Sequence, residues 1–452
     1  MPTNQSSFLN EKSFQELKLI SAPLNIFWFR RDLRLHDNVG LFHALQDQHP
    51  VLPLFIFDSE ILDELKEKKD RRVQFIHQSL QEIAAFLEKQ GSAMLVLHGR
   101  PVDLWEKIIA SVPIKAVYCN HDYEPYARER DKAVEKILKA SGIPLFTFKD
   151  QVIFEKDEIL TDNTKPYTVY TPYSNRWRQR LSADHIRSYP SENRTDHFLK
   201  IAALPFPKLE DIGFLSGTYD FPARQAPQEI ISNYHKTRDY PALNGTTRLG
   251  VHLRFGTVSI REMVRKGLES NETWLGELIW REFFMMILWH YPHVVDQPFK
   301  AKYARITWRN DPIEFDRWCQ GKTGYPLVDA GMRELNSTGY LHNRVRMVTA
   351  SFLTKHLLID WRWGERYFAE KLLDYELASN NGNWQWSAGC GCDAAPYFRI
   401  FNPQMQIEKF DAQMDYVKRW VPEYGTKDYP RPIVEHRAAR ERALSVFKTA
   451  LE

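Results

Sequence analysis

Between residues 24 and 150, five short runs rich in β-branched and aromatic residues recur: LNIFWFRR (24–31), VLPLFIFD (51–58), AMLVLHG (93–99), KAVYCN (115–120) and PLFTFKD (144–150). Amphipathic stretches separate them. In RRVQFIHQSLQEIAAFLEKQG (71–91), Val73, Ile76, Leu80, Ile83 and Phe86 fall on one helical face, and Gly91 can close the helix. Strand alternating with helix in this way predicts a Rossmann-like, doubly wound parallel sheet over 24–150. Ligands on such sheets gather at the carboxyl ends of the strands. No GxGxxG or P-loop pattern occurs here, so the texture alone identifies no nucleotide.

On either side the pattern changes. Residues 1–23 read as an N-terminal extension, helical or poorly ordered, that ends at Pro23. From 151 to 225, prolines punctuate a mixed polar stretch that reads as a long interdomain linker over the surface, with a short helix at 174–183. A connection of that length is unusual inside one compact domain. After 225 the strand signal vanishes. Helical patterns follow at 226–237, 257–268, 272–291, 312–319, 326–337, 343–358, 364–372 and 403–412, which predicts an all-α domain over 226–452. The expected fold class is α/β followed by all-α.

The 452 residues carry a formal net charge of only +3, so any nucleic-acid surface must be a local patch. Aromatic content of 13% suits either a large aromatic core or stacking surfaces for planar ligands. The four cysteines, Cys119, Cys319, Cys390 and Cys392, match no secreted framework and no paired metal-ligand spacing. They are expected to be reduced thiols, and no metal is expected. The N-terminus lacks a signal-peptide core and no apolar run approaches a membrane span, so a cytoplasmic protein that does not engage membranes is expected.

Four constellations stand out. In WLGELIWREFF (274–284), Glu277, Trp280 and Arg281 share a helical face. They can stack on and hydrogen-bond a planar heterocycle, or can simply form a local Glu–Arg pair. In GYLHNRVRMVTASFL (339–353), Asn343 and Met347 are four apart, and Arg344 and Arg346 project to different sides. Arginine forks suit phosphate and the thioether suits a planar ring, although an ordinary amphipathic helix has the same pattern. GTTRLG (245–250) offers hydroxyls and backbone amides before a helical pattern, a weak anion-site signal. NNGNWQWSAGCGC (380–392) brings Asn380, whose amide donates and accepts, close to Trp384 and Trp386. Its Asn and Gly content predicts a tight, irregular loop, in which the two indoles would point in different directions.

Together with WFRRDLRLHDN (28–38), TPYSNRW (171–177), WCQGKTGYPLVDAGMRELNSTGYLHNRVRM (318–347) and the continuation to FRIFNP at 403, these segments resemble the DNA photolyase and cryptochrome family from about residue 24 to 425. The resemblance implies an N-terminal antenna domain and a helical domain that holds FAD, active as FADH⁻. Asn343, Met347, Trp386 and Asn380 resemble the class I cyclobutane pyrimidine dimer photolyases, and the chain lacks a long segment after FNP. The implied activity is a deoxyribodipyrimidine photo-lyase, a carbon–carbon lyase that repairs dimers in UV-damaged DNA, acting as a monomer. The alternatives are a cryptochrome-type blue-light photoreceptor without repair and an FAD electron-transfer enzyme that does not act on DNA.

By the same resemblance, Tyr234, Thr246, Thr247, Arg248, Leu249, Gly250, Trp274, Glu277, Arg281, Asn343, Arg346, Asp374, Tyr375, Glu376 and Asn380 would surround FAD. Asp374 would pair with Arg346 beside the flavin. Glu376 departs from the aspartate common among relatives. Trp280 and Trp386 would form an aromatic wedge against the flipped-out dimer. Glu277, Asn343 and Met347 would complete its pocket, and Arg238 and Arg344 would reach the flanking phosphates. Trp384, Trp361 and Trp308 match the family's electron relay, inner to outer. A second, antenna chromophore is implied near 120–131 at the domain interface. The stretch HYPHVVDQPFK lacks the Cys-Lys pair common in folate binders, so folate, deazaflavin and flavin all remain open, as does an empty site.

Overall fold

All five predicted strands form: Leu24–Phe29 (β1), Val51–Asp58 (β2), Leu95–Gly99 (β3), Ile114–Asn120 (β4) and Leu145–Phe148 (β5). The computed structural model describes residues 4–452, so Met1, Pro2 and Thr3 of the expected extension lie outside the described residues. The strands make one parallel sheet in the order β3-β2-β1-β4-β5. β1, β2 and β3 are buried at every position, which is why they read as unbroken apolar runs. The order of connection reverses between β1 and β4, and that switch point is where such a sheet opens a crevice at its carboxyl edge.

The helix Arg71–Lys89 illustrates how local signals set the crossovers. Asp70 caps it by accepting from the amides of Arg72 and Val73, and Gly91, at φ +69°, ends it while the Ser92 amide returns to the Leu87 carbonyl. Val73, Leu80 and Ile83 are buried as predicted. Phe86 is not: it is 38% exposed, and Leu87, one residue on, takes the inward position. The N-terminal extension is a helix, Asn4–Leu17, whose Phe14 and Leu17 join the sheet's core and whose Asn10 donates to the His98 carbonyl at 2.7 Å.

The chain crosses between two compact units more than once. The first comprises residues up to Glu155, Leu181–Arg224 and Leu249–Arg265; the second comprises Lys156–Arg180, Gln225–Arg248 and Lys266–Glu452. The division therefore differs from boundaries at 150 and 225. The stretch 151–225 is also more than a surface connection. Phe198 and Leu204 are buried in the first unit, with the Leu199 amide bonded to the Val51 carbonyl. In the second unit the helix Tyr170–Arg180 buries Tyr173 and Trp177, and the Trp177 indole donates to Glu282 at 2.6 Å.

The second unit is helical. Its core gathers Trp318, Met332, Leu335, Phe352, Trp361, Phe368, Trp384 and Phe447. The helices Glu272–His290, Pro312–Cys319, Pro326–Thr338 and Pro403–Phe410 form close to their predicted spans. The 226–237 pattern breaks at Asn233 into Gln228–Ser232 and Tyr234–Thr237, and the 343–358 pattern is α-helical to Ser351, then a π-helical turn over Phe352–His356. His436–Leu451 gives no clear periodic signal because its buried face is Ala439, Ala443 and Phe447, two alanines and one large residue. Among the described residues, no helix is long and apolar enough to cross a membrane.

The main correction concerns NNGNWQW. The segment is not an irregular loop but part of the helix Leu377–Ala388, closed by Gly389 at φ +89°. Tertiary contacts override its poor helix propensity. Asn381 and Gln385, one turn apart, donate to the Val294 carbonyl at 2.8 and 2.9 Å. Gly382 lies against Phe284: a Cβ there would stand 2.2 Å from the ring. The glycine is therefore a packing requirement. Gly382→Ala, which improves helix propensity by about 1 kcal/mol, is expected instead to destabilise the protein by about 1–3 kcal/mol through overpacking, read as a lower urea midpoint. An unchanged or raised midpoint would contradict this packing account.

Candidate functional site

The helix Leu377–Ala388 and the helix Asn343–Ser351 form much of the wall of one cavity of about 580 Å³ in the second unit. Asn343, Arg346 and Met347 line it, followed by Asp374, Tyr375 and Glu376, then Asn380, Trp384 and Trp386. Residues expected around the flavin, in the lesion pocket and at the inner end of the relay thus share one wall. Trp384 and Trp386 do diverge, for a reason other than the one given by an irregular loop. Two residues on an α-helix are about 200° apart. Trp384 is 2% exposed, whereas Trp386 is half-buried.

The charged groups of the cavity are paired in advance. Arg346 places one nitrogen 3.0 and 2.9 Å from the two oxygens of Asp374, and its Nε donates to the Leu341 carbonyl at 2.7 Å. Glu376 accepts from Arg281 at 3.3 Å and from Ser379 at 2.9 Å. The local pair offered by the spacing of Glu277 and Arg281 gives way to these partners. Arg281 takes Glu376, and Glu277 takes Arg238, whose guanidinium also lies 5.5 Å from the Tyr234 ring. Burial raises the Glu277 carboxyl above its ordinary range while Arg238 opposes it.

Asn380 fits a planar, hydrogen-bonding ligand in a particular way. Its amide nitrogen donates to Glu365, at 3.1 Å to the carbonyl and 2.9 Å to the carboxylate. The donor is therefore committed, and the amide oxygen is the group left for the cavity. Glu365 has no counterpart among the residues expected from the sequence; burial raises its carboxyl, with the Asn380 bond pulling the other way.

A second group of expected flavin residues lies outside this wall but is itself connected. The Trp274 indole reaches the Thr247 hydroxyl at 3.5 Å, Thr246 meets the Tyr340 hydroxyl at 3.0 Å, and Arg248 lies 4.6 Å from the Tyr340 ring. Arg248 has φ +52°, a left-handed turn within GTTRLG. Leu249 and Gly250 belong to the segment packed in the first unit, where Gly250 opens a helix without a side-chain cap. Of the expected DNA contacts, Arg344 pairs with Asp239 at 2.6 Å and lies 4.4 Å from the Phe410 ring. Trp280, off the cavity wall, stacks on Tyr170. Tyr340 lies within GYLHNRVRM, but Asp239 and Tyr170 have no sequence signal, because each depends on a partner more than 100 residues away.

The three tryptophans expected of the relay gather at the helical core. Trp361 and Trp384 are members and Trp308, half-buried, packs against it, edge-on to Phe447 at 5.9 Å. Trp361 begins the helix Trp361–Lys371, and one turn on Gly364 receives the Trp384 ring so closely that a Cβ would stand 2.1 Å from it. Phe368, another turn along, meets Trp384 edge-on at 4.9 Å.

The first unit has its own cavity, about 810 Å³, at the carboxyl ends of β1 and β2. Trp28, Phe55 and Phe57 give it aromatic walls; Arg30, Arg130 and Arg254 line it together with Asp58, Asp122 and Glu124, and Arg254 pairs with Glu124 at 2.7 Å. Both Arg30 and Arg130 stack on Trp28 at 5.1 Å. Against a burial that alone would raise it, Asp122 is held well below the usual carboxylate range by Arg31, Arg130, Arg30 and Arg254. Five residues of the expected antenna segment line this cavity: Asp122, Glu124, Tyr126, Ala127 and Arg130.

Residues 25–192 match the family described as DNA photolyase, and residues 274–427 match the FAD binding domain of DNA photolyase. The chain is 36% identical to a deoxyribodipyrimidine photo-lyase from Synechococcus sp., over 95% of this chain and 97% of the relative. Two solved structures are similar. A bacterial class III photolyase from Agrobacterium tumefaciens has a TM-score of 0.85 and 33% identity, covering 95% of this chain and 98% of that one. An archaeal photolyase from Sulfolobus tokodaii with two FAD molecules has a TM-score of 0.79 and 35% identity, covering 94% and 99%.

The Arg346–Asp374 pair yields a direct test. Asp374→Asn leaves a partly buried guanidinium without its charge partner and is expected to cost about 1–3 kcal/mol of unfolding free energy. Combining it with Arg346→Met should recover much of that loss in a double-mutant cycle; strict additivity would show that the two groups do not interact.

Proposed function

The chain belongs to the DNA photolyase family, and we propose that it is a deoxyribodipyrimidine photo-lyase that repairs cyclobutane pyrimidine dimers in UV-damaged DNA with light. The cavity that joins Asn380, the Arg346–Asp374 pair, Met347 and Trp386, with Trp384 behind them, carries the proposal. It brings residues suited to a flavin and residues suited to a lesion into one space. The donor set fits the flavin part of FAD: paired charges, a free amide oxygen and aromatic walls. Reduced FAD, when bound, would supply light-driven single-electron chemistry for cleavage of the cyclobutane ring.

The chain's own residues bind, orient and exclude water. Asn380 presents a carbonyl oxygen, which accepts from an N–H and brings no charge. Arg346, Asp374 and Glu376, the last held by Arg281, would provide a fixed polar lining that need not reorganise when the ligand's charge changes. Tyr234, Thr246, Thr247, Arg248 and Trp274 would hold the remainder of the cofactor through hydroxyls, amides and charge. Flipping a dimer out of the duplex costs a few kcal/mol, least for a damaged, poorly stacked base. Trp280 and Trp386 would offset that cost by stacking, and Glu277, Asn343 and Met347 would fix the dimer's edge. Arg238 and Arg344, each already beside a carboxylate, would hold flanking phosphates, which makes binding salt-dependent. Trp384, Trp361 and Trp308 would carry electrons inward to oxidised cofactor. We further propose that the 810 Å³ cavity of the first unit takes a planar antenna chromophore, and that the protein acts as a monomer.

Illumination of the reduced protein with dimer-bearing duplex is expected to remove dimers; no light-dependent loss would favour a photoreceptor without repair. Trp384→Phe is expected to block photoreduction of oxidised flavin, followed by absorption, while repair by chemically reduced enzyme continues. Equal photoreduction in variant and wild type would contradict the relay.

A further inference from the structure

Tyr170 begins the helix Tyr170–Arg180, and its ring lies flat on Trp280: the centroids are 3.6 Å apart and the planes differ by 6°. Two hydrogen bonds fix the residue. Its hydroxyl donates to the Gly276 carbonyl at 2.9 Å, and its amide donates to the Asp393 carboxylate at 3.1 Å. Gly276 is one helical turn before Trp280 on the same helix, so the phenol is tied to the element that carries the indole it covers. Asp393 follows shortly after Trp386 in the chain. Phe283 meets both rings edge-on, 5.9 Å from Tyr170 and 5.7 Å from Trp280. Trp280 and Tyr170 are both half-buried.

A half-buried indole with one face open to solvent can turn between rotamers. Trp280, covered by the parallel Tyr170 ring, stacked at 5.5 Å with Phe284 and blocked at its edge by Phe283, keeps one plane. A planar ligand that stacks on it then loses less freedom on binding, because the surface is set beforehand. We propose that Tyr170 is a positioning residue of the lesion pocket: its ring sets the plane of Trp280, and its amide bond to Asp393 ties that aromatic wall to the segment following Trp386. The inference rests on reading Trp280 and Trp386 as the wedge against the dimer. It concerns affinity for the lesion rather than electron transfer, because the ring that Tyr170 covers, Trp280, is not one of the tryptophans expected of the relay.

The test uses FAD-loaded full-length protein and measures its preference for a dimer-bearing duplex over the same undamaged duplex. Tyr170→Leu, which fills space without a ring, is expected to reduce that preference about tenfold, while FAD content and the flavin spectrum stay as in wild type. Tyr170→Phe, which keeps the ring, should restore most of it. In a Trp280→Leu background, Tyr170→Leu should have little further effect, since Tyr170 acts through that indole. An unchanged preference in Tyr170→Leu, or an equal further loss without Trp280, overturns the proposal. If the leucine variant does not retain FAD, Tyr170→His, with a smaller ring and no phenol, takes its place, and a preference equal to that of Tyr170→Phe overturns it. A wild type with no preference for the dimer overturns the photo-lyase reading and this inference with it.

Discussion

The close approach of the helix Leu377–Ala388 to Phe284 of the helix Glu272–His290 is the contact on which the candidate site depends. Gly382 allows it, because no side chain at that position fits beside the ring. Once the two helices meet there, the remaining directions follow from helical geometry. Asn381 and Gln385 must face the Val294 carbonyl, Asn380 and Trp384 share another face, and Trp386 emerges on a third. A candidate site with three kinds of wall therefore arises from one packing constraint. Gly364 repeats the device on the other side of Trp384, where a missing Cβ admits the indole.

The electrostatic arrangement has the same preset character. Arg346 with Asp374 and Arg281 with Glu376 join segments distant in sequence, and each pair is largely removed from solvent. Such pairs contribute little net stability, since desolvation offsets their attraction. Their value is geometric. They hold charged groups at fixed positions in a cavity where a ligand would otherwise have to organise them.

Much of this fold is legible in the sequence. The strands stand out because β1 to β3 are buried on both faces and so read as continuous apolar runs. The helix over 272–290 stands out from its length and its cap. What the sequence hides depends on long-range contacts. Leu377–Ala388 has a composition that disfavours a helix, and it is the packing on Phe284 and the bonds to Val294 that make it one. Glu277 and Arg281 have ideal spacing for each other, yet Arg238 and Glu376 outcompete that local pair from 39 and 95 residues away. Phe86 and Leu87 are adjacent and both apolar, so periodicity could not choose between them. The residues of the site are reached through family resemblance; their partners Tyr170, Asp239 and Glu365 emerge only in three dimensions.

The repeated crossing of the chain between its two compact units has a consequence for how such a protein is made. The sheet-bearing unit includes Leu249–Arg265, whose Arg261 bridges Asp37 and Asp150 in its interior. A nascent chain that has completed all five strands still lacks that cation, and Arg34 must then balance Asp150 without its second guanidinium. The unit is complete only after residue 265 has emerged from the ribosome, by which time two segments of the helical unit are already synthesised and waiting. Neither unit corresponds to one continuous stretch of gene, so no single cut in the chain separates the two units intact.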